Sequence, residues 1–461
     1  MQITILGYVL IPIGFFFFVT NTTILYTLTI FFIPFTASSV INFSNGFGLQ
    51  PTNFFFMLLL MRECLLILKN KKFRFNKANN TYFLLIGLFL FSIILSLLMP
   101  AIISGSLTVI NIETGLLTFH KFSTNNLTQT LYVLYGCLLA IYIAHKNSLS
   151  LNNLLLSIRT YIIAGLFTSF WGILQWVLYY FGVPYPDFLF NNSINEAAKG
   201  YLQTLSTEIN RISSVTVEPS ALAQFLLTVL PISILGLFTK KYLLHEKIIK
   251  ISIISIIITI FLSTSSSGYI GLIFSILLLS FMIVFVLKAF NVRFFIRFVL
   301  FITTVIFIYR YNTGFQYIIE QSLLNKSQSY SAQDRLSSVL IAKKYFIDYP
   351  ILGIGWGSVT SHDLFFKILA NSGLVGLLSF LSFNLLVLIN SYKKVIKIKR
   401  VQNIFFLDFM NLSIFSSLII LLFLFSFTGF PYNFSHYWFL VGCLISVLNM
   451  KNTNNIEVRV K

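Results

Sequence analysis

Charge is what this chain has least of. Asp, Glu, Lys and Arg make up 10% of its 461 residues, against about 25% in an ordinary soluble domain, and a soluble fold cannot cover its surface with so few. Acids are scarcer than bases, 13 against 32 Lys and Arg, for a formal net charge of +19. The three cysteines, Cys64, Cys137 and Cys443, lie in apolar stretches without CxxC spacing, which argues against a disulfide framework or a thiolate metal site. Five histidines are scattered (120, 145, 245, 362, 436), with no metal-ligand spacing to Cys, Asp or Glu. No metal and no cofactor are therefore expected. The first apolar stretch has no basic segment before it and runs into a second one, unlike a cleavable signal peptide, and no internal repeat is visible.

Apolar residues fill the space that charge leaves. They make up 57% of the chain, the mean hydropathy is +0.86, and the class this implies is all-α: a polytopic helical membrane protein. Apolar windows fall at 3–20, 24–43, 52–68, 81–103, 128–144, 153–181, 213–238, 248–264, 268–287, 294–310, 364–390, 404–427 and 436–449. Each is near the roughly 20 residues needed to cross hydrocarbon, so 12 to 14 transmembrane helices in a single membrane domain, 1–461, are expected.

The basic clusters Lys69–Lys77, Lys240–Lys250, Lys288–Arg297 and Lys393–Arg400 then share one face, cytoplasmic by the positive-inside rule. Loops 104–127, 182–212 and 311–363 face the other way, the last being the large one. Nine of the thirteen acids (Glu113, Asp187, Glu196, Glu208, Glu218, Glu320, Asp334, Asp348 and Asp363) lie on or beside that outer side. The basic excess thus reads as an orientation signal, and nucleic acid is not an expected partner. The N-terminus falls outside, although the first 45 residues carry no charge to fix their sidedness.

Four polar groups stand out against this background. Arg211-Ile-Ser-Ser-Val-Thr-Val-Glu218-Pro219 leads into a helix that Pro219 suits at its first turn. Glu218 at that entrance is either an acid complementing the helix dipole or a carboxylate held near lipid to act on a substrate. Ser331 and Asp334 have capping-box spacing, ahead of a short amphipathic helix that ends before Pro350. Asp334-Arg335 within it is a solvated pair or, through the arginine's planar fork, a diphosphate binder. Gly353-Ile-Gly355-Trp-Gly357 has the wrong spacing for a dinucleotide fingerprint and suits a tight turn under a bulky ligand or back into the membrane. His362-Asp363 opens the apolar run from Leu364, with Lys367 one turn on and able to pair with Asp363. His362 is either a polar boundary residue or part of the site in the polar loop.

Together these residues resemble the O-antigen polymerase and O-antigen ligase superfamily of bacterial envelope glycosyltransferases, over roughly 80–450. Three features carry the resemblance: Arg211 followed by Glu218-Pro219-Ser220-x-x-Ala223; a serine-rich hairpin at Ser263–Gly268; and Asp334-Arg335, an amphipathic helix, Pro350, Gly353-x-Gly355 and His362-Asp363-x9-Gly373-x-x-Gly376. The last spacing is similar to the ligase signature, except that Asp363 stands where relatives have an amide or serine. The hairpin also lacks their arginine.

The resemblance implies undecaprenyl-diphosphate-linked oligosaccharide as substrate, handled at the outer face of a bacterial cytoplasmic (inner) membrane, with membrane lipid around it. It implies polymerisation of repeat units into O-antigen, capsule or exopolysaccharide, with a flippase and a chain-length regulator as partners. His362 and Glu218 are the candidate catalytic bases, and Arg211, Arg335, Asp334, Gly353 and Gly355 the candidate substrate-binding residues. A lipid diphosphate leaves readily, so two arginines, one acid and one histidine suffice without a metal. Ligation of the glycan to lipid A core or another acceptor is the alternative within this chemistry. Lipid-linked glycan flipping is the alternative outside it, for which charges within the spans and two similar halves would be expected.

Overall fold

A computed structural model describes all residues except 44–47, 71–79, 111–116, 195–203, 207–208, 290–302, 304–306, 326–329, 399–403, 430–433 and 451–461. In chain order its helices are α1 Ile5–Thr20, α2 Thr22–Phe31, α3 Pro51–Asn70, α4 Asn80–Ser96, α5 Met99–Ile102, α6 Thr124–Leu149, α7 Leu151–Tyr180, α8 Asp187–Phe190, α9 Pro219–Thr239, α10 Glu246–Leu262, α11 Ser266–Phe281 (running into a π-turn, Met282–Val286), α12 Thr313–Ile319, α13 Tyr330–Asp348, α14 Leu364–Val395, α15 Phe406–Thr428 and α16 Ser435–Asn449. Among the described residues, eight helices are long and apolar enough to cross a membrane. The protein is thus an all-α, multi-pass membrane protein. Among the described residues, strands are confined to short antiparallel pairings such as 108–110 with 117–119.

The sequence windows and the helices part company near the N-terminus. Window 24–43 is not one helix, because α2 stops at Phe31 after ten residues. That is about 15 Å, half the hydrocarbon thickness. Pro34, with no N–H to donate, follows, and the chain turns through 32–40 until Ile41–Asn42 pairs with Gln2–Ile3. α1, α10 and α16 are 16, 17 and 15 residues long, and most of window 294–310 lies outside the described residues.

α9 and α15 form the centre, with 83% and 78% of their spanning windows buried inside the protein, against 33–44% for the other six. α16 joins them with residues 435–447 all buried. The outer helices turn apolar side chains such as Phe91, Ile254, Leu277 and Leu378 outward, as lipid-facing helices do.

Direct contacts join two of the long loops, 104–127 and 311–363, at one end of the bundle. Tyr345 donates to the Thr108 carbonyl at 3.1 Å, and His120 Nε2 lies 2.8 Å from the Ile354 carbonyl. At the opposite end Lys146 lies 3.9 Å from Glu63, Arg159 donates to the Leu243 carbonyl, and Lys394 donates to the Val447 and Leu448 carbonyls.

Candidate functional site

The segment that carries Arg211 is wired into the bundle. The Ser213 and Ser214 amides both donate to Gln175 Oε1, at 3.0 and 2.8 Å, and Ser214 Oγ donates to the Thr168 carbonyl. The Val217 amide donates to Thr36 Oγ1, and the Ala37 amide to the Val215 carbonyl. Arg211 itself is half-buried, and its Nε is buried without a hydrogen-bond partner. Burial lowers its pKa and the nearby Arg335 lowers it further, while Glu218 and Tyr269 oppose. A guanidinium held this way is primed for an anion, because an orphaned buried donor is costly.

Seven residues on Glu218 caps α9 by position, Pro219 being the first helical residue. Its carboxylate is exposed and accepts from Ser220 Oγ at 2.8 Å. Two close approaches bring neighbouring helix ends here. A Cβ on Gly268 would lie 2.9 Å from Ala223 Cβ, joining α11 to α9, and Gln224 donates to Thr428 Oγ1 at 2.9 Å, joining α9 to α15. The next residue, Gly429 (φ +78), abuts the chain at His362: a Cβ there would lie 2.8 Å from the Ser361 carbonyl oxygen.

α13 supplies the next two residues. Arg335 is half-buried and Asp334 exposed. Ser338 accepts the His362 amide at 3.3 Å while donating to the Arg335 carbonyl. His362 Nε2 lies 3.7 Å from Asp334 Oδ2, an ion-pair separation too long for a hydrogen bond. Burial lowers the His362 pKa, with Arg335 and Lys367 adding to the effect and Asp334 and Glu218 opposing it. His362 is therefore neutral, and able to accept a proton, to a lower pH than a free histidine. Asp363 caps α14, its Oδ1 accepting the Phe366 amide at 2.7 Å. Burial raises its pKa, against the pull of the Phe366 and Phe365 amides. Ser, Asn and Asp serve alike as N-caps, so Asp363 does what an amide or serine would do in that place.

Arg211, Glu218, Asp334, Arg335 and His362, drawn from three separate stretches of sequence, thus meet at one end of the bundle. Gly353 and Gly355 do something else. Both have positive φ, and a Cβ on Gly353 would lie 2.5 Å from the Ala370 carbonyl oxygen. The Ile354 and Gly355 amides donate to the Ala370 and Asn371 carbonyls, just before Gly373 breaks α14 with φ 63°, ψ −162°. Trp356, next after Gly355, is fully buried. This run is a plug holding the loop to the broken helix. Ser331 lies inside α13, which already includes Tyr330, so the helix starts ahead of the proposed cap.

Three further residues complete the arrangement. Tyr269, buried on the first turn of α11, faces Arg211 and donates to the Phe261 carbonyl. Asn371 clamps the plug, as its Oδ1 accepts the Ser358 and Val359 amides and its Nδ2 donates to the Val359 and Lys367 carbonyls. Lys367 is half-buried one turn below His362. A sequence signal for it exists: it is the one charged residue in 364–392, and charge inside a span is costly and tends to be functional. Among the described residues, no three of His, Cys, Asp and Glu converge.

No protein-family model matches the chain, and no curated protein matches it in sequence.

Proposed function

We propose that the protein polymerises oligosaccharide repeat units carried on undecaprenyl diphosphate, at the outer face of a bacterial cytoplasmic membrane. One observation carries this reading. Arg211 lies within electrostatic reach of Glu218 and Arg335, and His362 within reach of Arg335 and Glu218 and 3.7 Å from Asp334, at one end of the bundle. Cations and a neutral base at a membrane surface suit transfer from a lipid diphosphate. Arginines bind the phosphates through their fork of donors. A hydroxyl of the acceptor sugar attacks the anomeric carbon; its proton passes to His362 or Glu218, the new C–O bond forms, and the anomeric carbon–phosphate oxygen bond breaks, releasing undecaprenyl diphosphate. The lowered His362 pKa keeps the imidazole in its neutral, proton-accepting form. In this reading the basic end is cytoplasmic, and a flippase supplies the substrate.

A second reading, ligation to lipid A core or another acceptor, draws support from the His362-Asp363-x9-Gly373-x-x-Gly376 spacing, with Asp363 acting as the N-cap and Gly373 making the break. Deleting the gene in its host and analysing the lipid-linked glycans separates the possibilities. Polymerase loss leaves single repeat units on undecaprenyl diphosphate at the outer leaflet. Accumulated polymer would indicate a ligase, and repeat units held at the inner leaflet a flippase.

A further inference from the structure

We propose that α13 is an interfacial helix: its outward face lies in the boundary between headgroups and acyl chains of the leaflet at the His362 end of the bundle, and lipid covers it. Leu336, Leu340 and Ile347 fall on one stripe of the helix, the second and third lying four and eleven residues after the first. With Ile351 just past the helix end, these side chains are 56–65% exposed. Large apolar side chains grouped on one bare face mark a contact surface, since leaving them in water forgoes the gain of burial. Lys343 and Lys344, both exposed, occupy the turn between Leu340 and Ile347. Lysines so placed lay their stems along apolar surface while their ammonium groups reach lipid phosphates.

Packing sets the depth of the helix. Its inner face presents Ala342 and Tyr345, buried in a small core with Ile103, Val109, Ile354 and Ala370. Tyr345 also donates to the Thr108 carbonyl, and Ser338 accepts the His362 amide. Ile103 follows directly on the span Asn80–Ile102. Ala370 is six residues past Leu364, the first residue of α14, which is about 9 Å along the helix. α14 has 32 residues, about 48 Å at the usual rise, against about 30 Å of hydrocarbon. The surplus lies at its ends, which puts Ala370 and the helix packed on it near the edge of the hydrocarbon.

What adjoins the stripe identifies its occupant. Leu98 and Ile102, at the end of the Asn80–Ile102 span, are exposed, as are Leu117 and Phe119 on the hairpin that Tyr345 holds. The lipid that surrounds the spans therefore meets apolar surface that continues onto α13, with lysines for its phosphates. Arg335 is half-buried on the same helix, off the stripe, and its carbonyl accepts from the Ser338 hydroxyl that holds the His362 amide. Anchoring α13 in the headgroup layer keeps that arginine near the height of a lipid's phosphates. Its use on a lipid diphosphate rests on the function proposed above; the anchoring does not.

The test uses full-length protein in nanodiscs of phosphatidylethanolamine and phosphatidylglycerol, with a nitroxide on single cysteines in a Cys64→Ser background, the other two cysteines being buried. Labels on Leu340→Cys and Ile347→Cys should collide with oxygen, which partitions into lipid, several-fold more than with a water-soluble nickel chelate. Their depth should be about 5–10 Å into the headgroup–acyl boundary. A label on Thr360→Cys, at an exposed position of the loop, should favour the chelate. Leu336→Cys takes the place of either variant that does not fold. Labels at 340 and 347 that meet the chelate as freely as the one at 360 overturn the proposal. So do labels open to the chelate in nanodiscs and shielded only in native membranes, because a protein partner would then be what covers the face.

Discussion

Asn371 is where a single side chain decides whether the site is assembled. It is fully buried and makes four hydrogen bonds: from the Ser358 and Val359 amides at 3.0 and 3.1 Å, and to the Val359 and Lys367 carbonyls at 2.8 and 2.7 Å. Asn371→Leu keeps the size and removes all four. At about 1 kcal/mol net per bond the loss is about 4 kcal/mol, and it rises if the two amides stay buried without acceptors. The chain from Ser358 to His362 is tied down by these bonds and by the Ser338–His362 contact, so the cost falls on the placement of His362. Asn371→Leu should lower the apparent melting temperature in detergent by several degrees and reduce polymer synthesis at least tenfold. Asn371→Asp, which keeps the acceptor for the two amides, should retain more of both. A leucine variant with wild-type melting and wild-type synthesis would refute the clamp.

The site itself makes further predictions. His362→Ala should lower the rate on the order of 100- to 10,000-fold, as loss of a general base does, while still binding donor; if it polymerises normally and Glu218→Gln abolishes activity, the carboxylate is the base. Arg211→Lys and Arg335→Lys should each lose much of the activity, because a lysine keeps the charge and not the fork; wild-type polymer yield from both at equal protein level removes the diphosphate role. The acid limb of the kcat/KM profile should lie below about 6.5, the ordinary histidine value, since burial and the neighbouring cations depress His362; a limb above that value would mean that Asp334 and Glu218 dominate. In a Cys64→Ser background, cysteines at the exposed positions Ser337 and Thr360 should react with an impermeant thiol reagent in intact cells or spheroplasts; protection of both until lysis would invert the proposed orientation.

The elements legible in sequence are those set by local chemistry. Apolar length marks most of the spans, Pro219 marks the start of α9, and Asp363 with the apolar run after it marks the start of α14. The polar stretches that carry Arg211, Arg335 and His362 stand out because ionisable residues are rare in this chain. Long-range contacts hide the rest. α2 is apolar enough to extend further, yet it ends at Phe31, and the pairing of Ile41–Asn42 with Gln2–Ile3 closes the turn that follows. The glycines at 353 and 355 read equally as a ligand cradle or a turn, and only the broken helix packed against them shows the plug. Asp363, the local partner that spacing offers Lys367, accepts the Phe366 amide as the cap of α14.

The most direct measurement supplies purified protein in nanodiscs with the lipid-linked repeat units that accumulate in the gene-deletion strain. The account predicts a ladder of longer lipid-linked glycans, each step one repeat unit, with undecaprenyl diphosphate released at every step and no ladder from His362→Ala. Repeat units that remain unextended with wild-type protein, or that appear on a non-isoprenoid acceptor, would contradict it.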